Sequence, residues 1–325
     1  MKQPRLSIAL CTYNGMPFIR EQLDSFAAQT RLPDELVVCD DGSSDDTRQH
    51  LKRYADEAPF RVRLYFNASN VGVRKNFSRA VSLCSGDLIF LADQDDVWHP
   101  EKLACFVELF SRRPAVGLVF SDAEVVDETL TPMGYRMWRT FGFTSDQQAT
   151  VDAGRGFDVL LKHTFVAGAT MAFRSAYKPM ILPIPDRHWA HDAWISLLVS
   201  AVSQTAIVTQ PLNLYRQHAN QVMGGVRKSP LRKYREARQR VNAGFFLYMA
   251  QRYRTVRQRL VAHHTGDDHR HVIEAIDRRI QICQVRAKIR QQPLLRPPLV
   301  LKTLLHGDYH LMGHGWKTAL VDLVV

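Results

Sequence analysis

Five short, mostly apolar runs recur through the first 120 residues: Leu6–Cys11, Leu36–Cys39, Val62–Phe66, Leu88–Leu91 and Val116–Phe120. They are rich in Leu and β-branched residues, and amphipathic stretches of helical length lie between them. Strand and helix in alternation predict an α/β fold with a mainly parallel sheet flanked by helices. In such sheets ligands gather beyond the carboxyl ends of the strands. Here those ends read Thr12-Tyr13-Asn14, Asp40-Asp41-Gly42, Asn67 and Asp93-Gln94-Asp95-Asp96. Polar, mostly acidic side chains therefore collect on one edge.

The middle of the chain is less regular. Phe165–Phe173 predicts a strand, and a helix is expected after His191. Beyond Gly224-Gly225 the texture changes. Leu231, Tyr234, Val241, Phe245 and Tyr248 recur at helical spacing, as do Val272, Ile276, Ile280 and Cys283. Two long basic helices are expected, broken near Thr265-Gly266-Asp267, with a Pro-rich link (Pro293 to Pro298) leading to a last amphipathic segment. Charge separates the same way. Residues 221–325 carry 20 Lys and Arg against 7 Asp and Glu, a net of +13, while the whole chain carries +11. Five cysteines, an odd number with no CxxC pair, argue against a disulfide framework and fit a reducing cytoplasm. The opening MKQPRLSIALCTYN reads as a first strand rather than a secretory signal, and no apolar run approaches the roughly 20 residues of a membrane span.

The densest chemistry lies in LIFLADQDDVWHPEKL, residues 88–103. Asp93, Asp95 and Asp96 fall within four positions after a buried-looking strand. Carboxylates this close repel one another unless a cation sits among them, and hard oxygen ligands suit Mg²⁺ or Mn²⁺ bridging to a diphosphate. The competing reading is that these acids only cap the helix that Pro100 begins. Asp41, after the second strand, stands where α/β proteins often grip a nucleoside, whereas Asp45-Asp46-Thr47 reads as the N-cap of the next helix. The first loop contains neither GxGxxG nor GxxxxGK[ST], which disfavours a Rossmann dinucleotide site and a P-loop.

The ordered series CTYNG, QT, VVCDDGSSDDT, NVGVRKNF, GDLIFLADQDDVW and HDAW resembles the family 2 glycosyltransferases of the GT-A fold, in particular bacterial rhamnosyltransferase-like members. The resemblance covers residues 5 to about 220. It implies a GT-A nucleotide-sugar glycosyltransferase domain over 1–222 and a basic α-helical region over 223–325. By the same resemblance Thr12, Tyr13, Asn14 and Asp41 hold the nucleobase, and Asp93, Asp95 and Asp96 hold a divalent ion and the ribose-diphosphate. The acid of HDAW, Asp192, is the catalytic base that deprotonates an acceptor hydroxyl. His191 reads as structural or acceptor-contacting, and Trp194 as core or sugar-stacking. Arg74 and Asn76, just after Gly72, approach the diphosphate on this reading or merely begin a helix. Arg216 and His218, in YRQHANQ, cover the leaving diphosphate, with Asn220 and Gln221 on a flap. Gly168 marks either the acceptor pocket or a tight turn.

The implied reaction is an inverting transfer from a nucleotide-diphosphate sugar, dTDP-rhamnose or a UDP-sugar, to a hydroxyl of a glycan or lipid-linked acceptor in cell-surface polysaccharide synthesis. No nucleic-acid motif accompanies the Arg-rich helices, so nucleic acid is not an expected partner. An anionic membrane surface is, with homodimerisation as the competitor, and the expected location is the cytoplasmic face of the inner membrane. Rival functions are a nucleotidyltransferase, which the lack of a Gly-rich basic first loop disfavours, and a non-catalytic sugar-nucleotide-binding module.

Overall fold

A computed structural model describes residues 3–218, 242–263, 269–312 and 315–324. The chain divides into two compact units, Met1–Val226 and Arg227–Val325. The expected boundary at 222/223, the Asn220-Gln221 flap and the Thr265–Asp267 break lie outside the described residues.

The first unit is built on one sheet of nine strands: β1 (Leu6–Thr12), β2 (Glu35–Asp40), β3 (Arg61–Phe66), β4 (Leu88–Ala92), β5 (Val97–Trp98), β6 (Val116–Val126), β7 (Pro132–Arg136), β8 (Met171–Arg174) and β9 (Gln204–Arg216). Their order is β3-β2-β1-β4-β8-β6-β9-β5, with β7 on β6. β3, β2, β1 and β4 run parallel, as the alternating pattern requires. β8 then enters antiparallel to both β4 and β6, so the sheet is mixed beyond β4. Every residue of β1, β2 and β4 is buried, which explains their continuous apolar runs: such strands have no solvent face to mark with polar residues.

Helices α1 (Ile19–Ala27), α2 (Thr47–Glu57), α3 (Val73–Leu83) and α4 (Lys102–Arg112) connect the strands. Ile19, Leu23 and Phe26 of α1 and Leu103, Phe106 and Phe110 of α4 recur at three- and four-residue spacing and seal the sheet into the core. Short helices α5 (Met137–Phe141), α6 (Ser145–Asp152), α7 (Gly156–Leu160) and α8 (Lys178–Ile181) precede α9 (His191–Val202), of whose residues ten are buried. The strand expected over Phe165–Phe173 is shorter and later: a 3₁₀ turn occupies Gly168–Thr170 and only Met171–Arg174 pairs.

The second unit contains α10 (Ala243–His263), α11 (Arg270–Gln291), α12 (Arg296–Leu305), α13 (Asp308–Met312) and α14 (Trp316–Val324). On α11 the expected stripe of Val272, Ile276, Ile280 and Cys283 is buried. On α10 the buried stripe is Phe246, Ala250, Tyr253, Val256 and Leu260, so Phe245 and Tyr248 face outward instead. No described helix is long and apolar enough to cross a membrane.

Candidate active site

Strand register creates the site. Thr12 pairs with Asp40 and Asp40 with Phe66, while Leu10 pairs with Ala92. The residues that follow each strand, at Tyr13, Asp41, Asn67 and Asp93, therefore emerge side by side along one edge.

The β1 and β2 ends are tied together by a buried carboxylate. Asp40 accepts from the Thr12 hydroxyl (3.0 Å), the Ser43 N–H (3.1 Å) and hydroxyl, and Arg48 Nε (2.6 Å). Asn14, at φ +48°, donates its N–H to the Ser43 hydroxyl (2.8 Å) and accepts from the Ser44 N–H (2.9 Å). Asp45 accepts from the Thr47 N–H (3.1 Å) at the start of α2, whose N-cap, Asp46, makes no side-chain capping bond. Tyr13 alone in this loop presents a large side chain outward, 47% exposed. Its backbone is gripped from the acidic loop: the Tyr13 N–H donates to Gln94 Oε1 (2.8 Å) and Gln94 Nε2 donates to the Tyr13 carbonyl (3.1 Å). Gln94 received no role from the sequence, although it is the one neutral member of DQDD.

Asp41 and Asn76 are placed differently from expectation. Asp41 is buried and its oxygens accept from Asn67 Nδ2 (2.8 Å), the Val71 N–H (2.8 Å) and the Gly72 N–H (2.9 Å). It organises the turn into α3, where Gly72 sits at φ +90°, a conformation open to glycine. Asn76 is equally buried, bonded to the Cys39 carbonyl (2.7 Å) and to Asn67 (3.0 Å), so it braces the turn. Arg74, half-buried, donates to the Asp186 carbonyl (3.0 Å) and lies close enough to His191 for its charge to help depress that imidazole.

The three acids after β4 divide by burial. Asp96 is wholly buried; its Oδ1 accepts from the Arg216 N–H (3.1 Å) and its Oδ2 has no hydrogen-bond partner. Burial, then the charges of Asp95 and Asp93, push it well above the carboxylate range. It forms the floor of the site, not an open ligand. Lys102 is buried there too, donating to the Ala169 carbonyl (2.5 Å), with Nζ 3.6 Å from the centre of the Trp98 ring. Burial pulls it well below the lysine range, opposed by Asp96 and Asp93. Asp93 and Asp95 are partly buried, the Asp95 side chain 17% exposed. No described residue hydrogen-bonds the Asp93 carboxyl, which burial, Asp95 and Asp192 raise to about 8. Asp95 Oδ2 meets His218 Nε2 at 2.9 Å.

Arg216 is 1% exposed. It donates to the Asp95 carbonyl (2.7 Å), the Glu128 carbonyl (2.5 Å) and Glu21 (3.2 Å), and stacks over Phe18 at 4.6 Å. The guanidinium thus clamps the acidic loop from beneath.

Asp192 lies in the first turn of α9, with one oxygen accepting from its neighbour's N–H (2.7 Å). His191 beside it is buried, stacked on Phe77 at 3.8 Å and 12°, and burial lowers its pKa. Trp194 is core, donating to the Ile181 carbonyl (2.8 Å). Tyr215, another residue without a sequence-based role, ties the acids together: after burial, the charges of Asp96, Asp93, Asp95 and Asp192 all push its phenol up. Carboxylates from two distant chain segments thus lie near enough for their charges to act on the same phenol.

Among the described residues no three His, Cys, Asp or Glu side chains form a ready-made metal cage. The donor set still fits a hard divalent cation. Mg²⁺ commonly takes one or two protein carboxylates and completes its shell with water and substrate phosphates, and the Asp93 carboxyl has no hydrogen-bond donor among the described residues, the buried Lys102 acting on it by charge alone.

The mixed sheet with helices on its faces and acids along one edge defines a GT-A type α/β protein. The chain belongs to glycosyl transferase family 2, whose profile matches residues 7–178, just over half of its length. It is 28% identical over 225 residues to an uncharacterized protein of Mycobacterium tuberculosis, covering 67% of this chain and 60% of that one. The chain thus spans about 60% of the length of that relative. It is 29% identical over 194 residues to an Escherichia coli UDP-Glc:alpha-D-GlcNAc-diphosphoundecaprenol beta-1,3-glucosyltransferase, covering 59% of this chain and 69% of that one. Among solved structures, S. aureus TarS 1-349 in complex with UDP-GlcNAc superposes with a TM-score of 0.59 at 17% identity, covering 97% of this chain and 90% of that one. Mannosyltransferase PcManGT from Pyrobaculum calidifontis, in complex with GDP-Man and Mn²⁺, gives 0.53 at 17%, covering 98% and 81%. At these identities the structures share the fold.

Proposed function

We propose that the chain is an inverting glycosyltransferase that moves a sugar from a nucleoside-diphosphate donor to an acceptor hydroxyl. The observation that supports this is that Asp192, from a distant chain segment, lies near enough to Asp93 for its charge, with that of Asp95, to act on it. Asp192 is the one of these acids that stands on a separate element, and it accepts only its own neighbour's N–H. It serves as the base that takes the acceptor proton as that hydroxyl attacks the anomeric carbon. One displacement inverts the configuration, and no second carboxylate is needed to protonate the departing group.

Asp93 and Asp95 would hold Mg²⁺ or Mn²⁺, with His218 orienting Asp95 through its Oδ2 and Asp96 beneath. When bound, the cation supplies positive charge against the departing diphosphate. Tyr13 offers an exposed ring for the nucleobase, Thr12, Asn14 and Asp41 shape its loop, and Arg74 flanks the base. The UDP donors named for the E. coli and S. aureus proteins support a UDP-sugar; dTDP-rhamnose is the alternative that the rhamnosyltransferase-like motifs support. The E. coli relative's diphosphoundecaprenol substrate supports a lipid-linked acceptor here, hence work at the cytoplasmic face of a membrane, which five free cysteines also fit.

The test is Asp192→Asn, made after a thermal-shift screen with Mn²⁺ has identified the donor. Transfer falls by about 10²–10⁴ while donor affinity stays. Undiminished turnover, or loss confined to donor affinity, refutes the assignment.

A further inference from the structure

Helix α14 is amphipathic the wrong way round for a soluble domain. Its buried residues are Ala319 and the charged Asp322, whereas Trp316, Leu320, Val321, Leu323 and Val324 are exposed. Helix α12 repeats this: Val300 and Thr303 face in, Leu301 and Leu305 face out, and Leu294 just before it is 94% exposed. The orientation is enforced. Asp322 accepts two bonds from Arg286 (2.6 and 2.9 Å), one from Arg290 (2.7 Å) and one from the Tyr309 hydroxyl (3.0 Å). Rolling α14 to hide its leucines would strip a buried carboxylate of four hydrogen bonds from three partners, which costs far more than leaving the leucines out. A contiguous outward apolar face held in place this way marks an interaction surface.

Charge selects the occupant. The last 105 residues carry +13, so pairing two copies through this unit sets like charges against each other, whereas an anionic bilayer complements it. Lys302 and Lys317 are exposed on the same two helices, and Trp316 sits next to Lys317. Tryptophan and lysine bordering leucine is the composition of helices that lie in a membrane interface. At ten and nine residues α12 and α14 are too short to span one. We propose that α12 and α14 dock flat on an anionic phospholipid bilayer, their leucines and Trp316 sunk to the acyl boundary and their lysines at the headgroups. The docking deepens the lipid-linked-acceptor reading above: it would hold the enzyme at the surface where that acceptor lies.

Trp316 provides the readout, because Trp98, Trp138, Trp189 and Trp194 are all buried. The full chain is titrated with vesicles of phosphatidylglycerol and phosphatidylcholine, and with phosphatidylcholine alone. Anionic vesicles should sediment the protein and shift tryptophan emission to the blue. Leu305→Glu with Leu320→Glu should weaken that partition at least about tenfold, while the far-ultraviolet circular dichroism and the donor-induced thermal shift stay as in the parent. Vesicle binding without a blue shift, or binding the double variant leaves unchanged, overturns the proposal in favour of adsorption by charge alone. A lipid-free dimer that the double variant dissolves overturns it in favour of a second copy. Donor binding is read without vesicles, so a protein that docks but binds no nucleotide sugar refutes the proposed function and supports the docking.

Discussion

Replacing Gly168 by alanine adds one carbon whose ideal position lies 2.6 Å from His191 Nε2, where ordinary contact begins near 3.4 Å. The backbone there is not left-handed, so the conflict is purely steric. Nor is the His191 ring free to swing aside, since it is buried and stacked on Phe77 at 3.8 Å. The ring, and with it the first turn of α9, has to retreat by close to an ångström. Overpacking of this kind costs about 1–3 kcal/mol of stability. Asp192 follows His191 in the chain, and an ångström of misplacement at a reacting group costs about a hundredfold in rate. Gly168→Ala is therefore expected to keep donor affinity and lose about two orders of magnitude in turnover, measured as release of nucleoside diphosphate.

The route of the effect is testable by a double-mutant cycle. If the added methyl acts through the imidazole, Gly168→Ala costs little once His191→Ala has emptied the space. Equal penalties in both backgrounds, or parental turnover in the single variant, would show that Gly168 does not set the position of Asp192.

Two further substitutions separate loop positioning from stability. Gln94→Ala removes both bonds to the Tyr13 backbone, each worth about 0.5–1.5 kcal/mol net, and should weaken donor binding about tenfold in calorimetry with little change in Tm; unchanged affinity would dismiss Gln94 as a positioning residue. Glu35 lies at the other end of the sheet, where burial alone would raise its pKa, but hydrogen bonds from Ser7, Ser85 and Arg63 lower it from 4.5 to about 2. A depressed carboxyl pKa stabilises the fold above the unfolded value and loses that contribution as pH falls from 4.5 towards 2, roughly 3 kcal/mol in all. Denaturant titrations of Glu35→Gln should lack that part of the acid sensitivity; identical pH profiles would refute it.

The parallel half of the sheet was legible because buried strands spell continuous apolar runs, and their polar ends announced the site edge. β8 is shorter than the apolar run suggests because FVAGATMAF is apolar almost throughout: nothing in it distinguishes the 3₁₀ turn at Gly168 from the strand that follows. On α10 the stripe chosen from Phe245 and Tyr248 was one register off, since aromatic residues on both sides of that helix give periodicity two solutions. Which acids would be buried could not be read at all. Asp40 and Asp41 are adjacent and chemically identical, yet their surroundings come from residues up to 31 positions away. Arg216 illustrates the same limit, for its inward turn depends on Glu21, Asp95 and Glu128 arriving from three other segments.

Sorting the acids by environment strengthens the case for a cation beyond the motif itself. Asp40 and Asp41 are saturated with donors, and Asp96 lies on the floor near the buried Lys102. Asp93, Asp95 and Asp192 are left facing the opening, and the half-exposed Arg74 is already bonded to Asp186. A sugar diphosphate brought to such an edge adds its own negative charge. Each unscreened pair at 4 Å costs about 4 kcal/mol at an effective dielectric near 20, so two such pairs would cancel the binding energy of a micromolar ligand, about 8 kcal/mol, and a third would outweigh it. Donor binding at this edge therefore demands either protonated carboxyls or a divalent ion. The raised Asp93 allows the first to a limited degree, but a proton neutralises only one charge, whereas a divalent ion offsets two and can bridge carboxylate to phosphate. On the proposed reading, donor affinity at this edge is expected to depend on a divalent ion, which calorimetry of a nucleotide sugar with and without Mn²⁺ checks.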